Sequence, residues 1–244
     1  MPPRPQLTHF LCLPLVTPST RPQWQASLQR FAAEVTGPDA PEESRLSPKA
    51  IRPVGGIHLT LGVMSLLSTE RIEAACTFLR GLDMSAILRE ANEASPNPLD
   101  TVAFQGLHAM GSPTRTSSLY AAGTAYAAAS LPFSIYLRKT FTTEGFMVPE
   151  ERDLRLHATV VNTIYAKKAK SGKKRWGKGS GKFDATELVE KYKDWEWVKD
   201  MKIEKVAICE MGAKKIMEGE DVVDQLYTEI ASVPLVCGDA EKAS

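Results

Sequence analysis

Apolar and polar positions alternate near the start of the chain and then recur at helical spacing. Residues 7–15 alternate with a period of two, which is typical of a β-strand. Between Arg21 and Val35 the apolar residues Trp24, Leu28 and Phe31 recur every three or four positions. This spacing predicts an amphipathic helix that follows the first strand.

The same patterns predict the remaining elements. Further strands are predicted over 57–66, 101–107, 118–122, 154–164, 201–209 and 226–233. Further helices are predicted after the N-cap Ser68, over 127–143, and from Asp184, where Glu187 gives a capping-box-like start. Stretches 38–53 and 91–99 are rich in proline and polar residues and are predicted to be loops. We expect one α+β domain over 1–244, with a disordered tail at 238–244.

Composition places this chain among folded proteins. Of 244 residues, 43% are hydrophobic and 24% are charged, which excludes a disordered or collagen-like chain. The apolar N-terminal stretch is much shorter than the roughly 20 residues that a membrane span needs, and no secretory signal precedes it. We therefore expect no membrane association, a monomer, and a location in the nucleus, the cytoplasm or both.

The cysteines are too widely spaced to form a metal-binding motif. They are Cys12, Cys76, Cys209 and Cys237, without a C-x-x-C pair or a Cys/His cluster. This usage predicts reduced thiols, no metal site and no cofactor.

Two segments of the sequence resemble each other. His58 and Thr60 in the first, and His157 and Thr159 in the second, both belong to an apolar-His-x-Thr-apolar pattern. Because residues i and i+2 of a strand project to the same face, each segment presents an imidazole beside a hydroxyl. The two copies lie 99 positions apart, which favours an internal duplication. Two such strands facing each other would surround one small anion.

These motifs and their flanks resemble the two-histidine (2H) phosphoesterases, which include the LigT-like or 2′-5′ RNA ligase-like proteins. The similarity extends over HLTLGVM from His58 and LHATVVNT from Leu156, with Phe183-Asp184 before the last helix. It points to the branch that contains the A-kinase-anchor-protein-type phosphoesterase domain and activating signal cointegrator complex subunit one. The resemblance implies a bilobal fold, with two antiparallel sheets facing across a cleft and helices outside. Only six residues precede the first strand, so we expect the KH domain of the cointegrator subunit to be lacking.

Paired imidazoles suit acid–base chemistry without a metal ion. With ordinary pKa values near 6.5, one histidine can accept a proton while the other donates one. The resemblance implies His58, Thr60, His157 and Thr159 as the catalytic set, with the threonines on the phosphate oxygens. It also implies 2′,5′- or 3′,5′-linked oligonucleotides or 2′,3′-cyclic phosphates as substrates. The sequence does not assign which histidine is the acid.

Two further residues are weaker candidates for substrate binding. By strand alternation Gly62 follows Thr60 on the same face, where it either leaves room for substrate or permits close packing. Alternation from His157 likewise turns Tyr165 toward the cleft, as a base-stacking surface or as a rim tyrosine without a ligand.

Positive charge is concentrated in one loop. Residues 166–182 hold eight Lys or Arg and no acid, although the whole chain has a net charge of only +1. The substrate-binding candidates here are Lys173, Lys174, Arg175 and Trp176. The loop is interpreted as a phosphate-binding funnel, a nuclear-localisation patch or a solvated insertion.

Three functions remain open from the sequence. The first is a phosphodiesterase that acts on RNA or a small nucleotide. The second is a module that binds a nucleotide or RNA end without turnover, as part of a nuclear transcription or repair complex. The third is an interaction protein in which the two motifs are coincidental.

Overall fold

The computed structural model describes residues 5–42, 44–93, 101–123, 126–166 and 181–235. Its helices are α1 (Arg21–Thr36), α2 (Thr69–Gly81), α3 (Met84–Glu93), α4 (Tyr126–Thr143) and α5 (Thr186–Lys191). Its strands are β1 (His9–Pro14), β2 (His58–Met64), β3 (Val102–Ala109), β4 (Ser118–Gly123), β5 (Ala158–Asn162), β6 (Glu196–Met201), β7 (Lys205–Glu210), β8 (Lys214–Glu218), β9 (Asp221–Leu226) and β10 (Glu229–Pro234).

Two four-stranded antiparallel sheets organise the chain. One has the order β10-β7-β1-β2 and the other the order β5-β4-β3-β6, while β8 and β9 form a separate hairpin. The strands that follow or contain the two motifs, β2 and β5, are therefore each an edge of their own sheet. An isolated bridge between Ile51 and Val161 joins the segment before β2 to the edge strand β5. The predicted α+β architecture with two antiparallel sheets is confirmed.

The hydrophobic core includes side chains from both sheets and from the helices. Trp24 of α1 is fully buried and packs on Phe104 of β3, with ring centroids 5.4 Å apart. Leu11 of β1 and Leu119 of β4 are also fully buried. Burying each such leucine stabilises the fold by about 1.5–3 kcal/mol, so the core stabilises the inner strands that pair with β2 and β5.

The helix starts follow local sequence signals. Ser68 accepts a hydrogen bond from the Arg71 amide at 3.3 Å, as its N-cap prediction required. At α5 the predicted capping box does not form. Instead the Asp184 carboxylate accepts hydrogen bonds from the Thr186 amide at 2.9 Å and from its hydroxyl at 2.6 Å. Ala185 is therefore the N-cap, and the helix begins one residue later than a cap at Asp184 predicts.

The structure corrects several predicted elements. Helix α3 takes up the beginning of the predicted loop 91–99, because Met84, Ile87, Leu88 and Ala91 bury one helical face. The strand predicted over 201–209 begins only at Lys205, as β7, and β6 before it was not predicted. The strand predicted over 154–164 is only β5. The hairpin of β8 and β9 was not predicted, since most of its side chains are exposed and give no buried pattern.

Within the described ranges, no helix is both long enough and apolar enough to cross a membrane. The tail 238–244 and nearly all of the basic loop lie outside the described residues.

Candidate functional site

The two His-x-Thr motifs line one small cavity. This cavity of about 110 Å³ lies where the edge strands β2 and β5 approach each other. It is lined by Arg52, Gly56, His58, Thr60, His157, Thr159, Asn162 and Tyr227. The structure therefore brings together all four residues that the sequence singled out as a catalytic set.

Both imidazoles are held in the same way. Nδ1 of His58 lies 2.8 Å from the Gly56 carbonyl oxygen, and Nδ1 of His157 lies 2.8 Å from the Arg155 carbonyl oxygen. A carbonyl only accepts, so each Nδ1 carries a proton and each neutral ring keeps its lone pair on Nε2. On His58 this Nε2 lies 3.0 Å from the Thr60 hydroxyl, which donates to it.

A β-bulge follows the threonine in each motif strand. Along β1 and β2, Cys12 pairs with Thr60 but Leu11 pairs with Gly62, which leaves Leu61 as an extra residue. Along β4 and β5 the register likewise skips Val160, immediately after Thr159. A bulge reverses the inward and outward alternation of the residues beyond it. The internal duplication thus extends to a backbone irregularity that the sequence pattern did not reveal.

The bulge at Leu61 overturns the predicted orientation of Gly62. A Cβ added to Gly62 would lie 2.0 Å from Sδ of Met147, which is a buried core residue. Gly62 also borders the larger cavity beside the motifs. Of the two interpretations offered for this glycine, the structure favours close packing over room for substrate.

The second bulge changes which residues of β5 reach the cavity. Alternation predicted that every second residue from His157 to Tyr165 lies on one face of a continuous strand. The strand ends at Asn162, however, and Tyr165 lies in the following 3₁₀ turn. Asn162 lines the cavity, and Val161 is fully buried. The strand face that was predicted to continue to position 165 therefore ends at Asn162, and the side chain of Tyr165 lies outside what the structure describes.

Besides Gly56, three cavity residues were not predicted from the sequence. Arg52 precedes β2 and is 8% exposed, with its amide donating to the Val160 carbonyl at 2.9 Å. Its Nη2 lies 3.5 Å from the hydroxyl of Tyr227, a residue between β9 and β10. Strand alternation identifies Asn162 as a cavity residue only when the bulge at Val160 is taken into account. No sequence motif marks Arg52 or Tyr227. Together they add a cation, a phenol and an amide to the four motif side chains.

Electrostatics keep His58 uncharged. Burial lowers its pKa from 6.5 to about 4. The hydrogen bond to Gly56 acts in the opposite direction, while the positive charges of Arg52 and His157 lower the pKa further. At neutral pH His58 is consequently a neutral imidazole whose Nε2 carries no proton and can accept one.

Aromatic rings surround both histidines. His58 lies between Phe10 and Tyr227, with ring centroids 4.9 Å and 5.1 Å away. His157 contacts the edge of Tyr120 at 5.6 Å. These contacts restrict ring rotation and so help to keep both Nε2 atoms directed at the same space.

A much larger cavity opens beside the small one. It measures about 1190 Å³ and shares Thr60 and His157 with the small cavity. Its outer wall includes Arg138 and the charged segment 150–155, where Glu150 is 3.1 Å from the Arg138 guanidinium. This space is large enough for a nucleoside next to a phosphate in the small cavity.

The remaining substrate-binding candidates belong to the basic loop. Lys173, Lys174, Arg175 and Trp176 fall outside the described residues. Among the cysteines, Cys12 and Cys209 bring their Sγ atoms to 3.8 Å without a disulfide bond, and Cys76 is also a free thiol. Within the described part of the chain, no three His, Cys, Asp or Glu side chains converge as metal ligands would.

Two antiparallel sheets that present facing His-x-Thr motifs across a cleft define the 2H phosphoesterase superfamily. A family model described as the AKAP7 2′5′ RNA ligase-like domain matches residues 7–235, and the chain belongs to this family. The match covers both motifs and both sheets.

Other comparisons give more distant similarities. An uncharacterized protein of Schizosaccharomyces pombe, C15D4.13c, is 25% identical over 183 residues, which are 75% of this chain and 78% of that protein. A crystal structure of E. coli LigT complexed with 3′-AMP is 13% identical, covers 94% of this chain and 98% of LigT, and has a TM-score of 0.49. The crystal structure of TT0787 from Thermus thermophilus is 13% identical, covers 93% of this chain and 97% of its own, and has a TM-score of 0.45.

Proposed function

We propose that this protein is a metal-independent phosphodiesterase that acts on RNA or small nucleotides. The observation that supports this function best is the pair of imidazoles, each fixed through Nδ1, on opposite walls of one anion-sized cavity. Membership of a 2′5′ RNA ligase-like family is consistent with a nucleotide phosphodiester as the substrate.

In this mechanism the phosphate occupies the small cavity. Thr159 donates a hydrogen bond to one non-bridging oxygen, and the Thr60 hydroxyl turns from His58 Nε2 to donate to the other. The Arg52 guanidinium supplies the positive charge. These donors stabilise the additional negative charge that develops on the phosphoryl oxygens in the transition state.

The histidines divide the proton transfers. His58 is the base because its pKa lies near 4, and its Nε2 takes the proton from the ribose hydroxyl next to the phosphodiester or from water. The oxygen thus freed bonds to phosphorus, and the bond from phosphorus to the leaving oxygen breaks. His157 acts as an imidazolium, with protons on both ring nitrogens, and gives its Nε2 proton to that leaving oxygen from the opposite wall. The neighbouring hydroxyl is O2′ in a 3′,5′ linkage and O3′ in a 2′,5′ linkage, and its attack yields a cyclic phosphate, whereas attack by water yields a linear one.

The larger cavity accommodates the rest of the substrate. Since Thr60 and His157 border both cavities, a nucleoside in the larger one stays attached to the phosphate in the smaller one. The volume of about 1190 Å³ is suited to an oligonucleotide rather than to a phosphate alone.

The experiment is incubation in EDTA with 2′,5′- and 3′,5′-linked oligoadenylates and a 2′,3′-cyclic nucleotide. His58→Ala and His157→Ala should each lower kcat by roughly 10²–10⁴-fold, since each removes one proton transfer, while substrate affinity changes little. His108→Phe is the matched control, because His108 is an exposed histidine that does not line the small cavity, and phenylalanine keeps the ring that stacks on Tyr120 at 5.5 Å.

Two results would overturn the proposal. Binding of nucleotide without cleavage of any substrate in the panel would establish a binding module instead. Cleavage that survives in both histidine variants would mean that the chemistry takes place elsewhere.

A further inference from the structure

The hairpin of β8 and β9 ends against the turn that leads into the first motif. This turn is the 3₁₀ segment Val54–Gly56, directly before Ile57 and His58. Strand β9 packs on it, and its residue Asp224 is only 8% exposed. A buried carboxylate is costly unless it is hydrogen-bonded or paired with a cation. The groups bonded to Asp224 therefore show which parts of the chain it connects.

Asp224 joins three parts of the chain. Its Oδ1 accepts a hydrogen bond from the Gly55 amide at 2.8 Å, and its Oδ2 accepts one from the Arg21 guanidinium at 2.8 Å. Arg21 is the first residue of α1, and Gly55 is the middle of the turn. The carboxylate therefore fixes the turn to the hairpin and to the first helix at once.

The contact between turn and hairpin is too close for any side chain at position 55. A Cβ added to Gly55 would lie 2.6 Å from Cδ2 of Leu226, 2.8 Å from Asp224 Oδ2 and 2.9 Å from the Gln225 carbonyl oxygen. Two of these three atoms cannot move away without breaking the hairpin or its ion pair. Gly55 and Asp224 therefore belong to the same contact between the turn and the hairpin.

One residue, Gly56, connects this contact between turn and hairpin to the imidazole of His58. Gly56 follows Gly55 in the turn, and its carbonyl oxygen accepts the hydrogen bond from Nδ1 of His58. A rotation of the peptide groups in the turn would remove that acceptor. His58 would then lose the contact that keeps its proton on Nδ1 and its lone pair on Nε2.

We infer that Asp224 is a positioning residue for His58, acting through Gly55 and the carbonyl of Gly56. This inference rests on the proposed function for its effect on turnover, although its effect on the imidazole does not. Asp224 touches no reacting atom. It keeps the turn in the conformation that selects the tautomer of the base.

The test compares Asp224→Ala with Asp224→Asn in protein carrying ¹⁵N-labelled histidine. The His58 signals are assigned by their loss in His58→Ala. In the native protein neutral His58 should show the Nδ1–H form, whereas Asp224→Ala should show a mixture with Nε2–H. The same variant should lower kcat by about tenfold to a hundredfold, with little change in KM. Asp224→Asn should be intermediate, because its amide oxygen can still accept from the Gly55 amide.

Glu34→Gln is the matched control. Glu34 lies on the same helix as Arg21 and accepts a hydrogen bond from the Tyr192 hydroxyl at 2.8 Å, with no contact to the turn. It should alter stability without altering the His58 tautomer or kcat.

The outcomes separate the inference from the proposed function. A folded Asp224→Ala protein with the native tautomer would overturn the positioning role. If that variant does not fold, Asp224→Asn and Arg21→Gln decide the question by the same signals. If the native protein cleaves no substrate, the proposed function fails, and the tautomer measurement still decides what Asp224 does to His58.

Discussion

Met147 occupies the space that a side chain at Gly62 would need, since a Cβ there would lie 2.0 Å from the methionine sulfur. The neighbouring backbone is joined as well: Met64 and Met147 form an isolated bridge, and the Val148 amide donates to the Val63 carbonyl at 2.9 Å. The chain between α4 and the second motif is in this way attached directly to the first motif strand.

This packing predicts an energetic coupling between positions 62 and 147. Gly62→Ala should destabilise the protein by about 1–3 kcal/mol through overpacking, and Met147→Ala by about 2–5 kcal/mol through a cavity. In the double variant the new methyl enters the space left by the sulfur, so the loss should be smaller than the sum. Urea unfolding of the four proteins measures this, and simple additivity would show that the two side chains do not compete for space.

Stability should fall as the solution is acidified, because His58 resists protonation in the folded state. Its pKa is about 4 when folded and 6.5 when unfolded, so the unfolded chain takes up a proton first as the pH decreases. The free energy of unfolding should therefore drop between pH 6.5 and pH 4, by up to about 3 kcal/mol from this group. Above pH 6.5 both states are neutral at this position and the effect is absent.

His58→Gln isolates that contribution, because glutamine does not titrate. The pH dependence of unfolding should be shallower in this variant than in the native protein. Burial also lowers the pKa of His9, but His9 is present in both proteins and its contribution cancels. Equal pH dependence in the two would mean that His58 is protonated alike in both states.

Arg52 should contribute both to phosphate affinity and to the charge state of the base. Arg52→Gln should weaken binding of a nucleoside monophosphate by roughly tenfold to a hundredfold, because a charge-assisted hydrogen bond is lost. It should also raise the pKa of His58, which the arginine charge helps to lower. Calorimetry and a histidine NMR titration measure the two effects.

Arg52→Lys serves as the comparison for that experiment. Lysine keeps the charge but not the planar fork, so the pKa of His58 should stay low while affinity falls partly. Unchanged affinity in both variants would remove Arg52 from the phosphate site.

The basic loop has a prediction that follows from charge alone. Replacing Lys173, Lys174 and Arg175 with alanine removes three cations, which should lower the salt dependence of RNA binding by about 2 in the slope of log K against log salt. Filter binding at several salt concentrations measures this slope. An unchanged slope would favour the nuclear-localisation or solvated-insertion interpretation of the loop.

The sequence predicted the elements that carry strong periodicity and the residues that form a repeated pattern. Helix α1 and strands β1 and β2 lie close to their expected bounds because each buries a regular apolar face. His58 and His157 were found because each stands two positions before a threonine on a strand. In both cases the pattern lies within one short segment, so it can be recognised from the sequence alone.

The other parts of the site depend on contacts that no local pattern encodes. Arg52 and Tyr227 are 175 positions apart and meet only because the end of the β8–β9 hairpin packs beside the first motif. The bulge at Leu61 reversed the expected face of Gly62 because it arises from pairing with β1. Pairing register belongs to two strands together, and the periodicity of one strand cannot reveal it.

The location of the motifs on separate sheets has a consequence for how activity arises during folding. One imidazole belongs to the sheet of β1 and β2, and the other to the sheet of β4 and β5. Under the proposed function, neither sheet by itself holds the acid–base pair, so a partly folded chain with separated sheets should have no activity. The recovery of turnover after dilution from denaturant should therefore report when the two sheets dock, and circular dichroism should report when they form.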